Sequence, residues 1–489
     1  MEYSHFMHNS CHIMHNTYLA FMKNKHQLGL WDSTLLGVGS MIGSGIFIVS
    51  ASMTTQLFSA PWLIAIWLFT GIITISAALS YGELSGMFPK AGGQYIYLKE
   101  AYHPIMGFLY GWSFFTVIQT GTIAAVAVAF SKFTGYFLPV FEMSPANGIP
   151  IWGDYHIYPA QMLAVSTIVL LTYINTKGVK SGNWIQGIFT STKLIALFGL
   201  LAAGFIWGFD KDIWNANWES GWRLQQWNLT THQAMPIDMY TLLGALSIAL
   251  VGSVFSSDAW NSVTFIAGEM KNPEKNIGRA LLLSTLIVTV IYVSMNLMYV
   301  GTLSLQSIAE APQERVGVAA AQAIFGGVGT YLIAALIMVS TFGCNNGLIF
   351  SGARVYQTMA EEKLFFRSAA KVNAHHVPHW ALWAQCIWAS VLCLSGQYGQ
   401  LLNYVVFTVM LFYILTIAGV MILRKKRPEI VRTYKTPLYP ILPIFYILFA
   451  VSFCIGLLIY TPHDTWPGLI IVCIGIPVYY WFRNQQQQQ

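Results

Sequence analysis

The sequence predicts an all-α integral membrane protein whose first and sixth spans are interrupted. Three observations carry this expectation. The 489 residues are 55% apolar and 15% aromatic but only 9% charged, where an ordinary soluble domain is roughly a quarter charged. Apolar runs recur near the ~20-residue length that crosses a bilayer as a helix, not in the shorter alternating segments of a barrel. Two of those runs carry glycine-rich or polar clusters at mid-span, where a continuous lipid-exposed helix has no use for them.

Along the chain, residues 1–27 carry His5, His8, His12, His15 and His26 without an apolar core and read as a disordered N-terminal extension. Residues 28–208 hold five expected spans, at about 31–55, 61–87, 104–130, 157–175 and 183–208. Residues 209–239, rich in tryptophan, read as an interfacial loop on the outer side. Five more spans fill residues 240–424, at about 240–266, 279–303, 327–357, 380–396 and 400–423. Two last spans, 440–460 and 465–482, lie within residues 425–482, and 483–489 form a polar, glutamine-rich tail expected to be disordered. The segment "GEMKNPEKNIGR" after the sixth span reads as a lateral amphipathic helix.

Charge fixes an orientation. With the N-terminus in the cytoplasm, only Lys132, Lys211, Arg223 and Arg315 of the 25 Lys and Arg face outward, and Lys193 lies within a span. Both termini are therefore expected in the cytoplasm of a cell membrane protein. The net charge of +6 reflects topology, so nucleic acid is not an expected partner. The six cysteines are not spaced as a metal site, and no HExxH or GxSxG pattern occurs. An enzyme, a resident metal and a cofactor are not expected, and a channel would want pore loops or polar rings instead of two broken helices.

The first interruption is "GVGSMIGSGIFIVSAS", residues 37–52, with Gly37, Gly39, Gly43 and Gly45. The second is "VGSVFSSDAWNSVTFIAGEMKNP", residues 251–273, which sets Ser253, Ser256, Ser257, Asp258 and Asn261 at mid-membrane. They lie five spans apart, the pattern of two inverted halves that build a midplane site from unwound backbone. Unwinding at Gly43–Ser44–Gly45 frees N–H donors at the start of one half-helix and C=O acceptors at the end of the other. Such a break suits a zwitterion, the carboxylate going to the helix N-terminus. Gly39 and Gly43 fit close helix packing equally well. Asp258 either faces the pocket, favouring cationic substrates, or caps the broken helix by accepting N–H bonds. Lys193 is the only basic residue between Trp184 and Trp207. It lies about ten residues, ~15 Å of helix, from the inner end, so it must pair or coordinate carbonyls where it stands. Glu83, at the inner end of the second span, is expected to close an ion-pair network.

Five motifs in order, "GSMIGSGIF", "SYGELSGMFPKAGGQYIYLKEAY", "STKLIAL", "FSSDAWN" with "GEMKNPEKNIGRAL", and "TFGCNNGLIFSGARV", resemble those of the amino acid, polyamine and organocation (APC) transporter superfamily, in its L-amino acid transporter branch of bacterial type. The resemblance implies a LeuT-like fold: twelve transmembrane helices, ten of them in two inverted five-helix repeats (28–208 and 240–424), with the first and sixth discontinuous. It further implies alternating access. By the same resemblance, Ser44, Gly45 and Ile46 present N–H groups to the substrate carboxylate, and Ile42 and Gly43 complete the unwound segment. Carbonyls of Met41, Phe255, Ser256 and Asp258 hold the ammonium, Phe255 closes over the substrate as a gate, and Asn261 stands beside it. Lys193 matches the lysine that occupies the ion site of sodium-coupled relatives, and is expected to bridge the Gly43 region to Ser340 and Thr341. The function implied is sodium-independent exchange of neutral L-amino acids. The alternative, kept open by Asp258, is proton-coupled or exchange transport of cationic amino acids or polyamines. The expected partners are a small L-amino acid and the surrounding lipids. Residues 131–156 contain no cysteine, so no covalently linked heavy-chain subunit is expected.

Overall fold

The structure, a computed structural model, describes residues 28–89, 92–152, 155–375, 377–395 and 398–487. The histidine-rich extension, Lys90 and the last two glutamines lie outside the described residues.

The first apolar run is two helices, α1 (Leu30–Met41) and α2 (Ser50–Gln56), separated by a 3-10 turn at Gly45–Phe47. Next come α3 (Ala60–Met87), α4 (Gln94–Ala101), and α5 (Pro104–Ser113), which runs through a π turn at Phe114–Ile118 into α6 (Gln119–Gly135). A short antiparallel hairpin, β1 (Ile149–Trp152) and β2 (Tyr155–Ile157), precedes α7 (Pro159–Thr176) and α8 (Val179–Ala203). The tryptophan-rich segment folds into α9 (Lys211–Glu219) and a second hairpin, β3 (Gln225–Asn228) with β4 (Gln233–Pro236). The second interruption separates α10 (Met239–Ser256) from a 3-10 helix at Trp260–Glu269. Then follow α11 (Pro273–Thr302), α12 (Leu305–Ala309), α13 (Val316–Glu361, kinked at Gly326), α14 (His379–Ser395), α15 (Tyr398–Lys426), α16 (Ile441–Tyr460) and α17 (Pro462–Gln487). The bundle end where α1 begins and α17 finishes is called the terminal face below, and the opposite end the hairpin face.

Among the described residues, nine helical segments are long and apolar enough to cross a membrane. The other three expected spans are the broken pair α1 and α2, the 18-residue α7 and the 17-residue α14. Helix starts follow the local chemistry. Ser59 precedes Pro61 and accepts from Trp62 N–H at 3.4 Å, and Asp238 accepts from Thr241 N–H at 2.7 Å, both satisfying orphan first-turn donors.

The core joins the first half of the chain to α11. A Cβ on Gly37 would stand 2.8 Å from the Ser284 side chain, and one on Gly82 only 3.3 Å from the Gly278 backbone. Small residues thus let α1 and α3 approach α11 closely, as membrane helices need when lipid supplies no hydrophobic drive between them. Buried polar pairs tie the same region together: Ser50 Oγ to Asn296 Oδ1 at 2.7 Å and Thr70 with Ser253 at 2.8 Å.

Three local expectations change. "GEMKNPEKNIGR" is not a lateral helix: Asn272 takes a left-handed φ of 47° and Pro273 starts α11 directly, because Pro is preorganised for a first helical position. The glutamine tail is helical as far as Gln487. Residues 209–239 form a folded cap, with Phe58 stacked on Trp227 at 4.4 Å and Asn217 bonded to the carbonyls of Val300 and Leu303, both at 2.8 Å.

Candidate functional site

The two interruptions meet. Helix α1 ends with Ile42 N–H on Val38 O (3.0 Å), and Ile42 is extended at ψ 98°. The ladder resumes with Phe47 N–H on Ser44 O (3.1 Å) and Ile48 N–H on Gly45 O (2.9 Å). The N–H groups of Ser44, Gly45 and Ile46 are therefore the first-turn donors of the second half-helix, which lack intrahelical acceptors by construction. A Cβ on Gly45 would come within 3.2 Å of Ser256 Cα, and one on Gly43 within 3.3 Å of Cys344 Sγ. The glycines thus serve close packing as well as unwinding.

In the sixth run the helix stops at Ser256, and Ala259 adopts a left-handed conformation at φ 63°, ψ 7°. That turn aims Asp258 sideways, where its Oδ1 accepts the Tyr413 hydroxyl of α15 at 2.6 Å. Asp258 is thus held by a tyrosine that the sequence did not single out, and among the described residues no salt bridge to it is made. Asn261 donates to Gln94 Oε1 at 3.2 Å, and Gln94 in turn to Thr416 Oγ1 at 3.0 Å.

Lys193 is buried, and its ammonium donates to the carbonyls of Gly39 and, at 3.0 Å, Ile42. Gly39 lies in the last turn of α1 and Ile42 just beyond its end, where the interruption leaves C=O groups without helical partners. Ser340 and Thr341 do not complete the expected bridge among the described residues: Thr341 bonds Ile337 O at 2.7 Å, and the buried Ser340 hydroxyl has no partner. Cys344, one turn further along α13, is the residue of that helix that reaches Gly43.

A second unforeseen residue binds the two interruptions directly. The Tyr292 hydroxyl of α11 faces Met41 O at 3.0 Å and Ser256 O at 3.1 Å. Its one proton serves two of the carbonyls expected to face an ammonium. Toward the hairpin face, Phe255 meets Tyr398 edge-on at 6.3 Å, and the Ser44 hydroxyl faces the same Tyr398 without closing a hydrogen bond. On the terminal side of Phe255 lies a cavity of about 40 Å³, walled by Tyr110, Phe114, Gln119, Asp258, Asn261, Ser262 and Tyr413 among others. The buried Ser262 hydroxyl in its wall is unpartnered, and residues 41–46 do not reach it. By volume it holds roughly three waters, fewer heavy atoms than alanine.

Glu83 closes the terminal face as expected. Its carboxylate takes a two-pronged contact from Arg424 at 2.8 and 2.7 Å, a contact from Arg432 at 3.3 Å, and Thr436 N–H at 2.8 Å. Tyr292, Tyr398 and Tyr413 are the residues sequence reasoning missed; their only signal is a hydroxyl inside an apolar run, which a core aromatic also shows.

Comparison with known proteins gives sequence relatives over nearly the whole chain. The chain is 31% identical over 463 residues to large neutral amino acids transporter small subunit 2 of Mus musculus, covering 93% of this chain and 81% of that one. It is 30% identical over 465 residues to the serine/threonine exchanger SteT of Bacillus subtilis, covering 94% and 98%. It is 29% identical over 461 residues to Asc-type amino acid transporter 1 of Mus musculus, covering 93% and 81%. The amino acid permease model matches residues 28–479, nearly everything between the N-terminal extension and the glutamine tail, and the chain belongs to that family of multi-pass membrane transporters.

Proposed function

We propose that this chain exchanges neutral L-amino acids across a cell membrane without sodium, by alternating access. The observation that carries the reading is the first interruption with Lys193 beneath it. The orphan N–H groups of Ser44, Gly45 and Ile46 suit a carboxylate, and an ammonium already sits on the carbonyls of Gly39 and Ile42. A fixed positive charge there repels a sodium ion at the same place. The names of the relatives, a large neutral amino acids transporter and a serine/threonine exchanger, support the substrate class.

In this reading the twelve helices form two inverted five-helix repeats, 28–208 and 240–424, with the hairpin cap at 209–239 and two added helices in 425–482. Both termini are cytoplasmic, and the carrier works as a single chain. Met41, Ile42, Gly43, Phe255, Ser256, Asp258 and Asn261 complete the substrate site. Lys193 couples it to α13 near Ser340 and Thr341, and Tyr292 holds Met41 O and Ser256 O until substrate arrives. A second reading, transport of cationic amino acids or polyamines, is favoured by the absence of a cation beside Asp258 among the described residues.

The test is exchange in proteoliposomes loaded with labelled alanine, with outside alanine, leucine, serine, arginine or putrescine, in sodium-free medium and with or without a pH gradient. Neutral amino acids are expected to release label at full rate without sodium. Release by arginine or putrescine alone would transfer the function to the second reading, and dependence on sodium would overturn the role of Lys193.

A further inference from the structure

The segment between α15 and α16 has a double composition that the transport site does not use. Residues 424–441 hold six basic side chains, Arg424, Lys425, Lys426, Arg427, Arg432 and Lys435, against one acid, Glu429. The structure divides them. Arg424 and Arg432 turn inward onto Glu83, and Arg424 also lies over the Tyr439 ring at 3.6 Å. Arg427 pairs with Glu100 at 3.4 Å. Lys425, Lys426 and Lys435 are exposed, Lys426 touching only the Tyr102 carbonyl at 3.4 Å, and among the described residues none of the three is in a salt bridge. Interleaved with them are apolar side chains left almost bare: Val431 is 79% exposed, Leu438 71% and Ile441 69%.

Exposed lysines alone suit water, and exposed Val, Leu and Ile alone suit hydrocarbon. Their alternation at the ends of two membrane-crossing helices suits the boundary between the two, where apolar side chains enter the acyl region and ammonium groups meet headgroup phosphates. The segment is also mechanically placed. Thr433 Oγ1 donates to Glu274 O at 2.8 Å, Thr436 N–H to Glu83 at 2.8 Å, and the Tyr434 ring lies where a Cβ on Gly82 would approach it to 2.9 Å. It therefore wedges between the terminal-face ends of α3 and α11.

We propose that residues 424–441 are a docking surface for anionic phospholipid, and that headgroup capture by Lys425, Lys426 and Lys435 holds this wedge on Glu83 and so keeps the terminal face closed. The occupant is a lipid, not free phosphate, because half of the surface is apolar. The lysines supply the charge selectivity and Val431, Leu438 and Ile441 the anchorage.

The test titrates the purified full-length chain in neutral detergent with phosphatidylglycerol, with phosphatidylcholine of the same acyl chains, and with inorganic phosphate, reading the thermal unfolding midpoint. Phosphatidylglycerol is expected to raise the midpoint saturably, the other two not. Replacing Lys425, Lys426 and Lys435 by Gln is expected to weaken the apparent phosphatidylglycerol affinity roughly fivefold per lysine, and Val431→Ser to weaken it further. Comparison between lipids is made within each variant, so a lower starting midpoint does not obscure the result. An equal shift by phosphatidylcholine, a shift by inorganic phosphate, or an unchanged affinity in the triple variant overturns the proposal.

Discussion

Lys193 shows how one residue turns a defect in a helix into a site. Its carbonyl partners, Gly39 and Ile42, are available because α1 stops before Gly43. Bonds to a charged donor are each worth about 1.5–3 kcal/mol, and removing the donor leaves buried acceptors unpaired. Lys193→Met keeps the length and apolar stem and deletes only that donor. Exchange by the variant in proteoliposomes is expected to fall by at least roughly tenfold to a hundredfold, the factor that one of the two bonds alone implies, with an unchanged gel-filtration profile and no recovery on adding sodium. Ala259 presents the opposite case, a residue working against its conformation. At φ 63° it sits in the left-handed region, which costs an alanine roughly 1 kcal/mol relative to glycine. Ala259→Gly is expected to raise stability by up to about 0.6 kcal/mol after the greater freedom of glycine in the unfolded chain is subtracted. Ala259→Val is expected to lower it, and both are read from thermal midpoints.

At the scale of elements, the cap at the hairpin face joins parts of the chain that are far apart in sequence. The β3–β4 hairpin reaches the turn after α12 through Glu310, which accepts from Trp227 Nε1 at 2.9 Å and pairs with His232 Nδ1 at 2.5 Å. The His232 contact, followed by hydrogen bonds from Gln306 and Trp227, holds the Glu310 carboxyl below its ordinary value of 4.5. A depressed acid pKa fixes the sign: the unfolded or undocked carboxyl binds a proton first, so the contact contributes above that ordinary value and is lost as pH falls through the docked one. Amide exchange in residues 225–236 is expected to be slow and flat from neutral pH to about 5, once corrected for the intrinsic pH dependence of exchange, and to lose protection below the ordinary carboxylate range. Glu310→Gln should abolish that acid step, and a step that persists in the variant assigns it to another group. The cap was legible only in part. Its four tryptophans, Trp214 to Trp227, mark an interface by composition, but nothing in their spacing states that Asn217 would bond the end of α11 or that Trp227 would stack on Phe58.

For the whole molecule, what could be read in advance is what violates the rule for a membrane helix. Gly43–Ser44–Gly45, the Ser256–Asp258 cluster and Lys193 are each wrong for an unbroken apolar span, so each pointed to irregular backbone or a partner, and the interruptions stand where those residues are. What satisfied the rule was silent. Tyr292, Tyr398 and Tyr413 count as aromatic core in any hydropathy profile, and the hydroxyl partners of Tyr292 and Tyr413, like the ring contacts of Tyr398, depend on how α11 and α15 are rotated, which is a tertiary fact. The same holds for the hairpin face, where Lys132 pairs with Glu314 at 2.5 Å, Arg315 with Glu142 at 2.9 Å, and the Lys132 ammonium stands 5.2 Å over the Tyr398 ring. Gln313 and Glu314 both take left-handed φ values, 54° and 61°, so this turn holds strained backbone for as long as its ion pairs hold it. Phe255 lies against Tyr398 beneath these pairs, Glu83 is buried between two arginines at the other end, and the cavity of about 40 Å³ on the terminal side of Phe255 is smaller than an amino acid. Opening the hairpin face must therefore break two ion pairs. Partly exposed pairs are worth up to about 1 kcal/mol each after solvent screening, so removing both shifts the open-to-closed ratio by up to roughly thirtyfold. In a cysteine-free background carrying Ser44→Cys, the double variant Glu142→Gln with Glu314→Gln is expected to react with an impermeant thiol reagent faster by that factor. High salt should reproduce part of the effect in the parent, and equal rates in parent and double variant would show that the closure resides in Phe255 and Tyr398 alone.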